Sequence, residues 1–271
     1  MFRTLKHYGR VSLAYFKMSV LSTLEYPTGI MGWLLANPIQ FLVGFSTIKF
    51  VVAEFGTIAG WGYGELAVLY GISVMSHALG VIFFIRCWYM GYYVIDGDFD
   101  RYMLRPMSVL YQFFFTEFNW IGLTDLIPGI CVFIYGCVQV GFVWSIGNAV
   151  NIIILLIGAT FIRGGIYLIV GCSSFWTKST NAFGGYVQEI FDKATLYPIS
   201  MYPESVQFIL TFLLPIGWVS FYPVSALLGV QGEGFRWIGA VWGTLAVGVI
   251  VFLVSAWVFK CGMKRYESSG N

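Results

Sequence analysis

A ten-residue segment, residues 97–106, concentrates charge in a chain of which only 10% of the residues are charged. It carries two carboxylates and two guanidinium groups, on Asp98, Asp100, Arg101 and Arg105. Such groups form strong charge-assisted hydrogen bonds, which suits the segment for docking onto a partner. Pro106 closes the segment and is expected to start the next helix, because proline fits the first helical position. The alternative is that the four charges only solvate a tight loop.

Three further charges, Glu117, Asp125 and Arg163, fall inside long apolar runs, where an unpaired charge costs at least about 2.5 to 3.5 kcal/mol. Glu117 and Arg163 lie at similar predicted depth on consecutive helices, so we expect them to form an ion pair. The pair would either fix the packing of two helices or belong to a polar substrate path. Asp125 has no base at matching depth, and we expect it to be protonated or to face a subunit interface.

The chain lacks the residue patterns of catalytic and metal sites. No Gly-x-x-x-x-Gly-Lys-Ser/Thr loop occurs, so the chain is not expected to bind nucleotide phosphates itself. His7 and His77 stand apart from any acid at ligand spacing, and His77 is interpreted as a hydrogen-bonding residue in helix packing. The five cysteines form no Cys-x-x-Cys pair and are interpreted as reduced packing residues, so neither a metal nor a cofactor is predicted.

The apolar residues that must position these groups define the class of protein. The chain has 271 residues, 58% of them hydrophobic, and a mean hydropathy of +0.79, which is too apolar for a soluble core. The composition predicts an all-α integral membrane protein, with room for about six spanning helices of roughly 20 residues. We expect a single membrane domain over residues 1–271, without a removable signal peptide.

Continuous apolar runs predict six transmembrane helices, since none of the runs shows the alternating pattern of barrel strands. The predicted spans are residues 28–52, 65–87, 108–140, 147–171, 205–230 and 237–260. Pro215 and Pro223 fall inside the fifth run, and proline removes a backbone donor, so this span is predicted to be kinked or split into half-helices. Half-helices often line a cavity, which makes both prolines candidates for the substrate path.

Basic residues predict the orientation, because loops on the cytoplasmic side carry an excess of lysine and arginine. With a cytoplasmic N-terminus, most of the fifteen basic residues fall on the cytoplasmic side. They are Arg3, Lys6, Arg10, Lys17, Arg86, Arg101, Arg105, Lys178, Lys193, Lys260, Lys264 and Arg265. Both termini and residues 97–106 are therefore predicted to be cytoplasmic, with Gly60 and Gly232 outside.

Two amphipathic helices are predicted outside the spans. The first covers residues 1–24; its basic stripe comprises Arg3, Lys6, Arg10 and Lys17, and its apolar face comprises Phe2, Leu5, Phe16 and Val20. This pattern is typical of a helix in the cytoplasmic membrane interface, the alternative being a soluble helix packed on a partner. The second lies in the predicted cytoplasmic segment 172–204, with Tyr186, Val187, Ile190, Phe191 and Ala194 on its apolar face.

Three segments resemble one family of membrane proteins. Residues 97–106, with the sequence Gly-Asp-Phe-Asp-Arg-Tyr-Met-Leu-Arg-Pro, resemble the Gly-x-x-Asp-x-x-Leu-x-Arg-Pro signature of six-span ABC-2 type exporter permeases. Met103 and Leu104 stand in place of the single leucine of the signature. Residues 222–229 and the tail 262–270 are similar to the same branch of the family, so the resemblance covers the chain in order and in spacing.

The resemblance implies an ABC-2 (type V-like) exporter fold and a permease subunit in a bacterial inner membrane, surrounded by lipids. It implies two permeases, identical or related, on a cytoplasmic ABC ATPase dimer that carries ATP and Mg²⁺, with residues 97–106 as the coupling helix. A lipid-like, peptide or drug-like solute would be exported, and no nucleic acid is involved. The alternatives are an ion-coupled carrier, for which we find no internal repeat, and a polytopic enzyme, for which we find no cluster of acids and histidines.

Overall fold

The structure is a computed structural model that describes residues 2–25, 27–179, 184–230 and 241–267, and within them the side chains of all but residues 2–7 and 27–30. Over these ranges the backbone forms helices joined by turns, and no strand pairs into a sheet. The predicted all-α class is therefore confirmed. The long helices follow the continuous apolar runs of the sequence, because only a helix satisfies every backbone group within its own segment in lipid.

The described helices are as follows, in chain order. They are α1 (Phe2–Glu25), α2 (Pro27–Phe55), α3 (Tyr63–Trp88), α4 (Met90–Ile95), α5 (Phe99–Met103), α6 (Val109–Phe115), α7 (Gly122–Gln139), α8 (Ile146–Cys172), α9 (Ser174–Thr177), α10 (Gly184–Ala194), α11 (Glu204–Phe208), α12 (Phe221–Leu228) and α13 (Val241–Met263). A π-helix covers Ile209–Leu213, and 3-10 turns cover Ile199–Met201 and Ile216–Trp218.

Five of the described helical stretches are long and apolar enough to cross a membrane. They are Met31–Phe55, Tyr63–Ile95, Gly122–Gln139, Ile146–Thr177 and Val241–Met263. A sixth candidate is the pair Glu204–Leu213 and Ile216–Leu228, whose axes are bent by 75°. The predicted multi-pass membrane fold is confirmed, with its fifth span broken as the prolines of that segment predict.

Glycine contacts fix the directions of the central helices, because a residue without a side chain lets two backbones approach closely. Near one end of α7, Gly136 packs against Val68 of α3; near the other end, Gly122 packs against Ile82. Residue numbers rise along one helix while they fall along the other, so α3 and α7 are antiparallel. We call the end of the bundle that holds residues 56–62 the upper end, and the end that holds residues 96–108 the lower end.

The helices α3, α8 and α13 run parallel, all from the upper to the lower end. The pairs in contact are Gly80–Arg163 and Gly171–Cys87 between α3 and α8, and Gly158–Leu245 and Gly165–Val251 between α8 and α13. Residue numbers rise together in both sets. The chain between α8 and α13 must therefore return from the lower end to the upper end.

The return passes through α10, which packs beside the middle of α8. The ring of Phe191 lies 4.6 Å beneath the guanidinium carbon of Arg163, which is roughly 13 Å from the end of α8 at 1.5 Å per residue. This contact packs α10 against the long helix α8, and the predicted cytoplasmic position of α10 stays a prediction. Its helical character over residues 184–194 is confirmed, and Phe191 and Ala194 of its predicted apolar face are buried.

The bent pair completes the return at the upper end, where Phe221 of α12 packs 5.5 Å from Trp61 between ring centroids. The break falls at Leu214 and Pro215, as predicted for a residue without an amide donor. Pro223 breaks nothing, because it lies in the first turn of α12, where no helical hydrogen bond needs its missing donor.

The predicted third span, residues 108–140, is not one helix. It divides into α6 and α7, with residues 116–121 between them. Ser19 of α1 stabilises the break, since its hydroxyl donates to the Phe118 carbonyl at 2.6 Å and accepts from the Phe118 amide at 3.1 Å. A side chain from another element thus satisfies backbone groups that the interrupted helix cannot pair.

The helix predicted over residues 1–24 forms as α1, and one face of it lies along residues 105–118. Four residues at helical spacing make the contacts, which are Tyr8 with Ser108, Ser12 with Tyr111, Tyr15 with Arg105, and Ser19 with Phe118. This face is polar, so it suits a protein neighbour better than lipid.

The exposed face of α1 includes part of the predicted apolar face. Phe16 is 42% exposed, although its ring also packs edge-on against Trp120, with 4.8 Å between ring centroids. The other exposed large apolar residues described on α1 are Leu13, Met18, Leu21 and Leu24. Arg10 and Lys17 are exposed as predicted, whereas the side chains of Phe2, Arg3, Leu5 and Lys6 lie outside the described residues. The interfacial position of α1 stays a prediction.

Candidate functional site

A cavity of about 650 Å³ lies between α2, α3, α8 and α10, where the charged residues of the spans meet. Its polar walls include Asn37, Ser73, His77, Asp125, Arg163 and Asp192. Its aromatic walls comprise Trp33, Phe41, Tyr70, Trp88, Tyr89 and Tyr167. The volume falls within the range of roughly 300 to 1,000 Å³ that is typical of pockets for small molecules. Aromatic walls with a few charged groups suit an amphiphilic molecule.

Asp125 at the start of α7 joins three helices. Asn37 of α2 donates to its Oδ1 and also, at 2.9 Å, to the hydroxyl of Thr124. Nε2 of His77 on α3 lies 3.7 Å from its Oδ2. Asp125 was predicted to lack a base, and His77 to stand apart from acids, so both expectations are corrected by this contact. The reason is that residues far apart in sequence meet across the antiparallel pair α3 and α7.

Arg163 of α8 lies on the other side of His77 and is 1% exposed. Its Nη1 is 3.5 Å from His77 Nδ1 and donates to the Tyr167 hydroxyl, also at 3.5 Å. Phe191 stacks beneath the guanidinium, while Nε has no hydrogen-bond partner among the described residues. Gly80 makes room for this side chain, since a Cβ there would lie 2.9 Å from Arg163 Cδ. The cation is thus held by rings and weak contacts rather than by a carboxylate.

The predicted ion pair between Glu117 and Arg163 is wrong. Glu117 lies in the break between α6 and α7, with 63% of its side chain exposed, and its Oε2 is 3.7 Å from Nε of Arg86. The depth estimate assumed an unbroken third span, and the break removes Glu117 from the level of Arg163. Of the predicted substrate-path residues, the cavity brings Asp125 and Arg163 together, while Glu117, Pro215 and Pro223 are not among its lining residues.

Arg86 connects the lower end of α3 to the charged segment that follows it. The side chain is 7% exposed and lies over aromatic rings, with its guanidinium carbon 4.6 Å from the Tyr93 centroid and 5.2 Å from that of Phe113. Its Nη2 donates to the Tyr102 hydroxyl at 2.8 Å. Cation–π contacts of this kind stabilise a buried guanidinium. Arg86 therefore fixes α5 relative to the membrane bundle.

We call residues 96–108 the docking loop. It contains α5, whose Phe99 and Tyr102 are buried, so the loop is anchored by apolar packing as well as by charge. Asp98 and Arg101 pair with each other within the loop. The two buried rings were missed by the sequence reasoning, although their spacing of three residues on a short helix was a usable signal.

The outer surface of the docking loop combines apolar and basic groups. Leu104 is 86% exposed, the highest value among the large apolar residues of the loop, and Met103 beside it is 45% exposed. Arg105 donates through Nη1 to the Tyr15 hydroxyl at 2.6 Å, which links the loop to α1. Pro106 does not start the next helix as predicted; Ser108 caps α6, and its hydroxyl accepts from the Tyr111 amide.

The segment after α13 closes over the docking loop. The ring of Tyr266 packs 5.7 Å from that of Phe99 between centroids. Burial and the neighbouring carboxylates of Asp100 and Asp98 raise the pKa of Tyr266 to about 12, which keeps its hydroxyl protonated. One residue further, Glu267 pairs with Lys178 at 3.3 Å. The loop is thereby held from both α1 and the C-terminal segment.

Metal chemistry finds no support in the described residues, where no three histidine, cysteine or acidic side chains gather at a possible metal site. Asn37 of the cavity, and Phe191 beneath Arg163, were not singled out for function by the sequence reasoning. The amide in the apolar first span was a usable signal, since a buried polar group in lipid requires a partner. For Phe191 no such signal exists in the sequence.

Comparison with known proteins gives a match at the level of the family. The model of a family described as ABC-2 family transporter protein matches residues 17–270. No curated protein matches the chain. The matched range contains every residue that lines the cavity and the whole docking loop, so both features lie within the part of the chain that resembles this family.

Proposed function

This chain belongs to the ABC-2 transporter family and is a permease component of an ABC transporter, and we propose that it exports an amphiphilic solute from the cytoplasm. The proposed solute is lipid-like, peptide or drug-like. The observation that carries the proposal is the cavity of about 650 Å³ among the spans, which combines aromatic walls with Asp125, Arg163 and Asp192. Intramembrane charges of this kind commonly mark a substrate pathway, since they are costly to keep otherwise.

ATP hydrolysis is proposed to reach the cavity through the docking loop. The family implies an ABC ATPase partner, which would carry the ATP and Mg²⁺. Leu104 and Met103 supply an exposed apolar contact, and Arg105 supplies a charge beside them. The loop is anchored by Tyr102 to Arg86, which lies on the same helix as His77 of the cavity. A displacement of the docking loop by the ATPase would therefore be transmitted through Tyr102 and Arg86 to α3.

A second permease subunit, identical or related, is proposed to lie beside α2. Only 11% of the most apolar window of this helix is buried within the chain, against 78% for the span Tyr63–Ile95. Since α2 forms one wall of the cavity, a neighbour on its outer side would enclose the path. We place the assembly in a bacterial inner membrane, with residues 96–108 and both termini on the cytoplasmic side, as the distribution of basic residues favours.

Leu104→Asp tests the docking role. We expect this variant to fold but to lose its ATP-hydrolysing partner during affinity purification from the native membrane, because a carboxylate replaces an apolar contact at the interface. Ile146→Asp is the matched control: Ile146 is 87% exposed, nearly the same as Leu104, but lies at the upper end. Retention of the ATPase and normal transport in Leu104→Asp would refute the docking role of the loop.

A further inference from the structure

Two opposite charges face the cavity without pairing with each other. Arg163 and Asp192 both line it, and they attract each other electrostatically. Among the described residues, however, neither takes part in a salt bridge, so no nitrogen of Arg163 lies within 4.0 Å of an oxygen of Asp192. Asp125, by contrast, has partners in Asn37 and His77. The open charges of the cavity are therefore one guanidinium and one carboxylate.

The guanidinium of Arg163 lacks the partners that a buried cation requires. It has five N–H donors, of which Nη1 makes two contacts at 3.5 Å, and Nε makes none among the described residues. The residue is 1% exposed, so water does not replace the missing bonds freely. Phe191 covers one face of the group. The remaining donors are suited to an oxyanion, which guanidinium binds through two parallel hydrogen bonds.

The carboxylate of Asp192 follows Phe191 directly on α10, so one short helix places the ring under the cation and the acid beside it. Asp192 is exposed where it borders the cavity. Since it accepts but cannot donate when ionised, it is suited to a cationic group of a ligand. The ring of Tyr70 and those of Trp88 and Tyr167 lie on the same walls and provide apolar or cation–π contact.

We propose that the cavity takes zwitterionic amphiphiles, with the oxyanion of the ligand on Arg163 and its cationic group towards Asp192. This inference rests on the proposed function, because it names the substrate class of the same site. An anionic ligand would pair with Arg163 but would be repelled by the carboxylate of Asp192. A cationic ligand would pair with Asp192 but would be repelled by the guanidinium of Arg163. In a medium of low dielectric constant both arrangements are costly, whereas a zwitterion satisfies both residues without adding net charge.

Three probes with the same short tail test the charge preference on the purified chain in a maltoside detergent. They are hexylphosphocholine, hexyl phosphate and hexyltrimethylammonium, which are zwitterionic, anionic and cationic. Binding is measured by calorimetry and by the fluorescence of Trp88 at the cavity wall, with Trp88→Phe identifying that signal. We expect hexylphosphocholine to bind about tenfold more tightly than either singly charged probe. Equal affinities, or a preference for a singly charged probe, would overturn the proposal.

Single substitutions at Asp192 and Arg163 should then change which of the three probes binds most tightly. Asp192→Asn should weaken hexylphosphocholine by about tenfold and favour hexyl phosphate, because only the cation of the cavity remains. Arg163→Gln should favour hexyltrimethylammonium for the opposite reason. Asp192 is exposed, so its variant stays informative if Arg163→Gln fails to fold. Lys193→Gln is the control, since Lys193 adjoins Asp192 but pairs with Glu189 away from the cavity. An unchanged order of affinities in Asp192→Asn would refute the assignment.

Leucyl-leucine, a zwitterion with peptide chemistry, distinguishes a peptide from a lipid head group as the source of the two charges. Hexylphosphocholine must still bind more tightly than both singly charged probes. If leucyl-leucine binds more tightly still, and loses affinity in Asp192→Asn, a peptide is the source; if it binds more weakly than hexylphosphocholine, a lipid head group is the source. Both outcomes support the proposal, and failure of both zwitterions to bind refutes it. This outcome is separable from the proposed function, because retention of an ATPase by the wild-type chain is measured without any probe.

Discussion

Gly248→Ala should destabilise the protein, because α8 and α13 touch through their backbones at this position. A Cβ on Gly248 would lie 2.5 Å from the carbonyl oxygen of Gly158, while ordinary contact begins at 3.4 Å. The two helices would have to separate by roughly 0.9 Å at the contact, the difference between these two distances. A gap of that size forfeits a quarter to a half of the attraction of each separated atom pair.

The expected cost is about 1 to 3 kcal/mol, the range found when an extra carbon is forced into a packed interior. That corresponds to roughly one to two powers of ten in the unfolding equilibrium. Gly165→Ala should cost less than Gly248→Ala, since its new Cβ would lie 2.9 Å from the Val251 side chain and no closer than 3.2 Å to the backbone of α13, against 2.5 Å to backbone at Gly248.

The measurement is unfolding in mixed micelles with increasing sodium dodecyl sulfate, followed by tryptophan fluorescence. Gly147→Ala is the matched control on α8, because the nearest atom to its new Cβ is the Ser145 hydroxyl oxygen at 3.8 Å. Alanine is also the better helix former, so the control should lose no stability. A Gly248→Ala protein as stable as the Gly147→Ala protein would show that the helices do not meet as described.

Three further predictions concern the span break, the lower end and the orientation. Ser19→Ala should lower the thermal midpoint by an amount equivalent to about 1 to 3 kcal/mol, since backbone groups of the break lose their partner; an unchanged midpoint would contradict this. Glu117→Gln should change the free energy of unfolding by less than about 0.5 kcal/mol because the carboxylate is largely exposed. Arg86→Gln should destabilise the protein strongly, because it removes a buried guanidinium that lies over aromatic rings; equal effects of the two variants would contradict this packing of Arg86. A cysteine at Gly60 should react from outside intact cells with an impermeant reagent, and one at Gly97 should not; outside labelling at Gly97 would reverse the orientation. The other predicted outside position, Gly232, lies outside the described residues.

The sequence correctly predicts those helices that form because of the residues of their own segment. Residues 147–171 and 237–260 were predicted as spans, and α8 and α13 occupy nearly those positions, because an unbroken apolar run in lipid can only form a helix. The kink at Pro215 was likewise predictable from the missing amide. What these predictions share is that the cause lies within the segment itself.

The errors arise where the cause lies elsewhere in the chain. Residues 116–121 include the polar Thr116, Glu117 and Asn119, but the side chain that pairs with the broken backbone, Ser19, lies 99 residues before Phe118 in the chain. Helical periodicity predicts the helix α10 but not its neighbour, so the packing of Phe191 beneath Arg163 was not predicted. The predictions about the charged residues were wrong for the same reason. The predicted pair of Glu117 with Arg163 counted the depth of Glu117 along an unbroken helix. The contact of His77 with Asp125 depends on how α3 and α7 align, which the sequence of neither helix shows.

The parallel arrangement of α8 and α13 has a consequence for the order in which the fold is completed. The ribosome makes α8 well before α13, and the two cannot pair as a simple hairpin, because the intervening chain must first travel back to the upper end. A chain interrupted before residue 241 lacks α13, so the backbone contact at Gly158 that joins α8 to α13 can form only after synthesis has passed that residue.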